Sequence, residues 1–324
     1  MNDILKAGSC DVAIIGGGPA GISAAIALKK FGIDRIIVLE RECEAGGIPR
    51  HCGHPPFGIR EYGRILSGPV YAKKIIADSR LLGVEIALRT TVVSVRQGGI
   101  LSIICPDGAT ELRAKRVLIA TGTRETPRSA RFVSGGRPLG IYNTGALQSM
   151  VYLKNTIPFK RPVVVGTEIV SFSALFTCKK AGIRPVAMLE EKSRPTVRWP
   201  LPLAARFFSV PLHLDTRITK IIGDDRVTSV RFEDGHGSEK EIDCDGVLFT
   251  GKFIPESSLA RMGHLDIEPD TGIPIVDQYG RCSDHAYYAA GNIAHHSAEV
   301  AGKCWRTGKT AAGWIYKDLA GQLM

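Results

Sequence analysis

Two places in the chain gather side chains that could do chemistry. His51, Cys52 and His54 crowd three potential ligands into one loop, and His295-His296 places two imidazoles side by side nearer the C-terminus. A structural zinc needs a fourth ligand at matched spacing, and none is identifiable, so no metal site is expected. Cys52 is then a candidate lone thiol, and His295 and His296 are candidates for proton transfer. Each has an ordinary alternative in loop packing, and no catalytic residue is assigned beyond these three. The eight cysteines fall at 10, 43, 52, 105, 178, 244, 282 and 304, with no Cys-x-x-Cys pair. That spacing spells neither a zinc ribbon, nor a thioredoxin-type dithiol, nor an iron–sulfur cluster on this chain. It fits small buried hydrophobes in a reducing compartment.

The strongest chemical signal lies in backbone rather than side chains. From Asp11 the chain reads DVAIIGGGPAGISAAIALKKFGIDRIIVLE. Val12 to Ile15 predicts a buried strand, Ile22 to Phe31 a helix, and Arg35 to Leu39 a second strand. Between strand and helix stands Gly16-x-Gly18-x-x-Gly21, the order that a dinucleotide loop requires. Gly16 makes the tight turn, Gly18 lets a pyrophosphate approach the backbone, and Gly21 permits close helix–strand packing. Pro19 and Ala20 complete the loop, and the helix start presents free N–H groups to the phosphates. Glu40 closes the second strand, placed to hydrogen-bond a ribose.

Two further strands close on small-residue turns: Val117 to Gly122, and Tyr287 to Asn292 before a helical stretch from about Ala298 to Leu319. A second strand–loop–helix–strand unit runs from Arg161 to Glu190. Arg161–Gly166 is its strand, Phe172–Ala181 its helix, and Pro185–Leu189 its closing strand. Its loop reads Gly166-Thr167-Glu168-Ile169-Val170-Ser171, so only the first glycine of the pattern remains. Glu168 puts a side chain and a negative charge where backbone should meet pyrophosphate. Either NAD(P) binds there in a displaced pose, with Gly166 at the turn and Glu190 on the ribose, or the unit is a retained structural module. The motif favours the module, so NAD(P) stays doubtful.

Composition bounds the rest. The 324 residues suffice for two domains that fold without disulfide or metal staples. Glycine, at 36 residues, exceeds the usual share of about 7%, with no collagen-like period. The net charge of +10 is scattered, with no tract of five or more basic residues, so nucleic acid is not an expected partner. Neither a signal peptide nor a run of 18 apolar residues is visible, which predicts a cytoplasmic protein without a transmembrane segment.

The three glycine-bearing elements, in this order, resemble the two-dinucleotide-domain flavoprotein family that includes thioredoxin reductase. The resemblance implies an α/β fold with two Rossmann-like dinucleotide-binding domains, the NAD-like one inserted into the FAD-binding one. Residues 1–126 plus 255–324 would bind FAD, and 127–254 would form the NAD(P)-like domain, possessing its fold with or without a ligand. It also implies a cofactor set of Gly16, Gly18, Pro19, Ala20, Gly21, Glu40, Arg41, Gly47, Arg50, Thr121, Gly122, Gly291 and Asn292. The family usually has Asp where Asn292 stands; the amide still donates and accepts hydrogen bonds but adds no charge.

The string GGIPRHCGHPPFG, with REYGR after it, TGTRETPR at 121–128 and AAGN at 289–292 followed by AGKCWR, narrows the resemblance. It is similar to the FAD-containing alpha subunits of hydrogen cyanide synthase, opine dehydrogenases and dye-linked proline or hydroxyproline dehydrogenases. That likeness implies one component of a heteromeric amine or amino-acid dehydrogenase. Its partners would be a D-amino-acid-oxidase-like flavoprotein subunit, where substrate is oxidised, and a small [2Fe–2S] subunit. Members of the group often carry a cysteine-rich C-terminal extension, and this sequence ends at Met324, so the cluster is expected on another chain. The rival readings are a stand-alone NAD(P)H-dependent flavin reductase and a structural nucleotide-binding scaffold.

Overall fold

The computed structural model describes residues 3–197, 207–295 and 300–323. The chain separates into two units. The first comprises Met1–Arg50, Pro55–Arg124 and Ile254–Met324, and the second His51–His54 and Glu125–Phe253. Both are α/β with parallel sheets, as the glycine-loop pattern requires.

In the first unit, five strands run parallel in the order Glu85–Ala87, Ile36–Leu39, Ser9–Ile15, Gly108–Ile119 and Tyr287–Ala289. The long strand Gly108–Ile119 forks. Its second half pairs with Tyr287–Ala289, while its first half pairs antiparallel with Ile100–Cys105, which in turn pairs with Thr91–Arg96. Strand alternation divides the core: Val12, Ile14, Val38, Leu118 and Tyr288 face one cluster, and Ala13, Ile15, Leu39, Ile119 and Ala289 face the other. Both faces are covered, so the strands read as unbroken apolar runs rather than alternating ones. Each fully buried Ile or Leu there contributes roughly 1.5–3 kcal/mol.

Helix Pro19–Lys30 packs on the first face beside helix Ala301–Leu319. Their approach is close because Gly308 has no side chain: a Cβ there would overlap the Ala20 carbonyl. The Ser23 hydroxyl also donates to the Trp305 carbonyl across this contact at 2.7 Å. At its far end the C-terminal helix is tied to the sheet through Asp318, which accepts from Arg116 and from the Tyr288 hydroxyl.

The second unit repeats the scheme. Its parallel sheet runs Leu212–His213, Ala187–Leu189, Pro162–Val165, Gly246–Phe249 and Ile141–Asn143. Helices Thr144–Leu153 and Ile169–Ala181 contribute Leu147, Phe172 and Leu175 to the cluster on one face. The antiparallel strands Thr216–Ile222, Ser229–Asp234 and Glu239–Asp243 serve the other, through Ile218, Ile221, Val230 and Phe232.

Both helices after the glycine loops begin three residues earlier than the apolar periodicity predicts, at Pro19 and Ile169. Proline at the first helical position has its φ already set and lacks only an N–H that would be unpaired there, so the helix starts directly after Gly18. Residues 51–54, expected within the first domain, belong to the second unit. The Cys52 thiol lies 3.4 Å from Gln148 Oε1, His54 Nε2 pairs with the Ser173 hydroxyl at 2.5 Å and its ring stacks on Phe176, and Gly53 lies against the ring of Tyr152.

Candidate nucleotide-binding site

The first glycine loop is shaped by two steric demands and one vacancy. Gly16 has φ +110°, and a Cβ there would stand 2.5 Å from the Ala120 carbonyl oxygen of the adjacent strand. Gly21 lies in the first turn of the helix, where a Cβ would overlap the Gly16 carbonyl. Gly18 differs. Its φ of −81° suits any residue, and a Cβ would find nothing nearer than the Gly47 Cα at 3.9 Å. The fold therefore needs glycine at 16 and 21, while at 18 it leaves open space before the helix N-terminus.

Glu40 stiffens this loop. It is 7% exposed; Oε2 accepts the Gly17 N–H and Oε1 the Glu42 N–H, both at 2.9 Å. The carboxylate is thus aimed before any ligand arrives and keeps unused lone pairs for a ribose hydroxyl. Gly46 N–H donates to the Gly17 carbonyl at 2.8 Å, and Gly47, at φ +63°, packs against Gly18. Arg50 is nearly buried; its Nη2 meets Glu44 at 3.3 Å, while its buried Nε has no partner among the described residues. A buried, unpaired guanidinium N–H beside an open glycine loop suits an anionic group. Arg41, by contrast, is exposed and, among the described residues, pairs with Glu42 at 3.8 Å.

The remaining expected residues line the same unit. The Thr121 hydroxyl donates to the Glu256 carbonyl at 2.7 Å, and Gly122, at φ +78°, accepts the Glu256 N–H. Gly291, also at φ +78°, donates to the Thr307 hydroxyl and would press a Cβ against Ala20 at 2.8 Å. Thr307, which pins this turn, carried no signal in the sequence. Asn292 Oδ1 accepts from the Cys304 thiol at 3.2 Å. Together the loop, the helix N-terminus, Glu40 and Arg50 fit a dinucleotide whose pyrophosphate meets Gly18.

The second loop closes differently. Glu190 is 6% exposed, and its carboxylate accepts from the Thr167 hydroxyl, from Thr196 and from the Lys192 N–H. Glu168 Oε2 lies 3.2 Å from both the Ser171 and the Thr250 hydroxyls. Thr250, Gly251 and Arg131, which define this crevice, were not foreseen. Their signal was internal: Leu248-Phe249-Thr250-Gly251 ends its strand as Ile119-Ala120-Thr121-Gly122 ends the other.

Of the candidate reactive groups, Cys52 is buried, and burial followed by the nearby Glu125 pushes its thiol up to about 12, so it holds no thiolate at neutral pH. His295 is half-buried; His296 lies outside the described residues. All eight cysteines are free thiols and only Cys43 is exposed. Among the described residues, no group of three His, Cys, Asp or Glu side chains could hold a metal ion, and no helix is long and apolar enough to cross a membrane.

Comparison with known proteins agrees with this geometry. The chain is 26% identical to an opine oxidase subunit of Agrobacterium tumefaciens (strain Ach5) over 329 residues, covering 90% of this chain and 64% of that protein. It thus spans less than two thirds of that relative's length. Among solved structures it resembles T. acidophilum thioredoxin reductase, with TM-score 0.80 at 24% identity, covering 97% and 99% of the two chains. L-proline dehydrogenase from P. horikoshii matches with TM-score 0.71 at 20% identity, over 96% of this chain and 56% of that one. These two likenesses establish the fold. Residues 10–308 match the pyridine nucleotide-disulphide oxidoreductase family as a whole, so the chain belongs to this family of FAD-dependent oxidoreductases.

Proposed function

We propose that this chain is the FAD-binding subunit of a heteromeric amine or amino-acid dehydrogenase of the proline, hydroxyproline or opine class. In this reading it relays electrons from a partner flavoprotein subunit to a [2Fe–2S] subunit or an external acceptor. One observation carries the proposal: a dinucleotide cradle stands in a chain with no Cys-x-x-Cys pair and with seven of its eight thiols buried. Burial raises Cys10, Cys52, Cys178 and Cys282 to about 12, and Cys244 to about 11. Thiol–disulfide exchange needs an accessible thiolate and a second thiol to resolve the mixed disulfide. The likeness to the Agrobacterium opine oxidase subunit supports the same reading.

FAD, when bound, supplies the electron acceptance and return that side chains lack. The chain's own residues bind and orient it. The helix N-terminus after Gly18 would hold the pyrophosphate, Glu40 the adenosine ribose, and Arg50 a further anionic group. Asn292, steadied by Cys304, would offer neutral hydrogen bonds where the family usually places a carboxylate. The amine C–H bond is broken on the partner flavoprotein, so no proton-transfer residue is assigned here.

The test is reduction of the co-purified complex, without oxygen, by proline, hydroxyproline or an opine, followed through its flavin absorbance. Bleaching by one of these amines, with the isolated chain inert to them, is expected. Turnover of thioredoxin or a small disulfide by the isolated chain with NADPH would overturn the proposal.

A further inference from the structure

The second unit holds an anion of its own where a dinucleotide would place its phosphates. In doubly wound sheets that seat is the crevice at the carboxyl ends of two neighbouring strands whose connections run in opposite directions. Here those strands are Pro162–Val165 and Gly246–Phe249, paired Val165 to Phe249. They end in Gly166-Thr167-Glu168 and Thr250-Gly251. The Glu168 side chain lies in the gap between the two turns. A Cβ on Gly166 would stand 2.5 Å from Glu168 Oε2, and a Cβ on Gly251 would overlap the Glu168 carboxyl group. The Ser171 and Thr250 hydroxyls, 2.6 Å from one another, both face that carboxylate. Arg131 donates to the Thr250 and Gly251 carbonyls at 2.9 Å, and Glu168 is the leading charge acting on its guanidinium.

We infer that Glu168 is a tethered occupant of the second nucleotide crevice, and that this one carboxylate excludes pyridine and adenine nucleotides from it. The first unit supplies the contrast within the same molecule. Gly18 holds the corresponding loop position and has open space in front of it, whereas Glu168 fills that space with atoms and charge. Glu190, at the ribose position, accepts from Thr167, Thr196 and the Lys192 N–H, one side-chain bond more than Glu40 accepts in the first unit. Both carboxylates thus spend hydrogen bonds inside the unit, while the buried Arg131 Nε keeps no partner among the described residues.

Removing the plug leaves the fold in place. Glu168 precedes helix Ile169–Ala181 with extended backbone, at φ −73° and ψ 170°, and its side chain caps none of the helix's N–H groups among the described residues. Glycine suits such a position. Ser171 and Thr250 keep each other and the Val165 carbonyl as partners. E168G therefore opens the seat, and E168Q removes the charge while keeping the bulk.

The test is fluorescence titration of the flavin-loaded protein with NADH, and calorimetric titration with ADP, for wild type, E168Q and E168G. Melting curves confirm that each variant is folded, and hydrogen exchange of the 166–171 backbone locates the binding. E168G is expected to bind both probes at least about tenfold more tightly than wild type, with new protection at 166–171. E168Q falls between them. Equal weak binding by wild type and E168G would overturn the inference, as would tight wild-type binding with protection at 166–171. Flavin retention is read separately from the first unit, so a failure of the proposed FAD site would not register as a change at Glu168.

Discussion

Replacing Gly18 with alanine separates what the loop does for the fold from what it does for a ligand. Gly18 adopts φ −81°, and an added methyl would meet only the Gly47 Cα at 3.9 Å. Two small effects on stability oppose each other. Alanine loses less chain entropy on folding, a gain of about 0.4–1 kcal/mol, while alanine at a helix N-cap is poorer than glycine by a comparable amount. The apo protein should therefore melt within about 2–4 °C of wild type. Gly16→Ala should behave otherwise, because positive φ costs about 1–3 kcal/mol and overpacking against the Ala120 carbonyl about as much again. Ligand binding reverses the comparison. The Gly18 methyl would hold a pyrophosphate away from the helix N-terminus and weaken charge-assisted hydrogen bonds worth about 1.5–3 kcal/mol. FAD affinity should fall about ten- to hundredfold. Calorimetry of the apo protein and FAD titration of the same preparation measure both quantities. Wild-type FAD affinity in Gly18→Ala would refute the reasoning, as would an apo protein destabilised as much as Gly16→Ala.

Glu40→Gln retains the shape of the side chain but can accept through only one oxygen, so either the Gly17 or the Glu42 N–H loses its partner. A stability loss of about 1–3 kcal/mol with weakened FAD retention is expected from denaturant melts and flavin release. Asp318→Ala frees Arg116 and the Tyr288 hydroxyl and loosens the C-terminal helix; a loss of about 2 kcal/mol is expected, with early hydrogen exchange in residues 310–319. Five of the seven buried thiols, Cys10, Cys52, Cys178, Cys244 and Cys282, have folded-state values raised to about 11 or 12 from 9.0. The native state therefore holds protons that the unfolded chain releases. Their contribution to stability is full below pH 9 and is lost as pH climbs from about 9 towards about 12. A stability profile flat across that window would contradict their burial.

Much of the first site was legible because its signals are local. Gly16-x-Gly18-x-x-Gly21 between an apolar run and a helical segment encodes turn, approach and packing within six residues, and Glu40 follows at the end of the next strand. The second loop was legible as a departure from the same pattern at Glu168. The helix starts were read late because Pro19 and Ile169 begin their helices before the apolar period becomes visible.

What the sequence determined by itself was the α/β plan with two glycine-loop units and the residues around the first loop, because short-range backbone sterics dictate them. What only the tertiary structure decided was which distant groups meet. Cys52 reads as a reactive thiol until Gln148, far along the chain, is seen beside it and burial is seen to hold its proton. Residues 51–54 read as part of the first domain until they are found packed with the second unit. Glu168 reads as a flaw in a motif until Thr250 and Gly251, some eighty residues on, are seen to enclose it. Burial and long-range contact set the protonation, charge and free space of these groups, and those quantities decide which chemistry each can do.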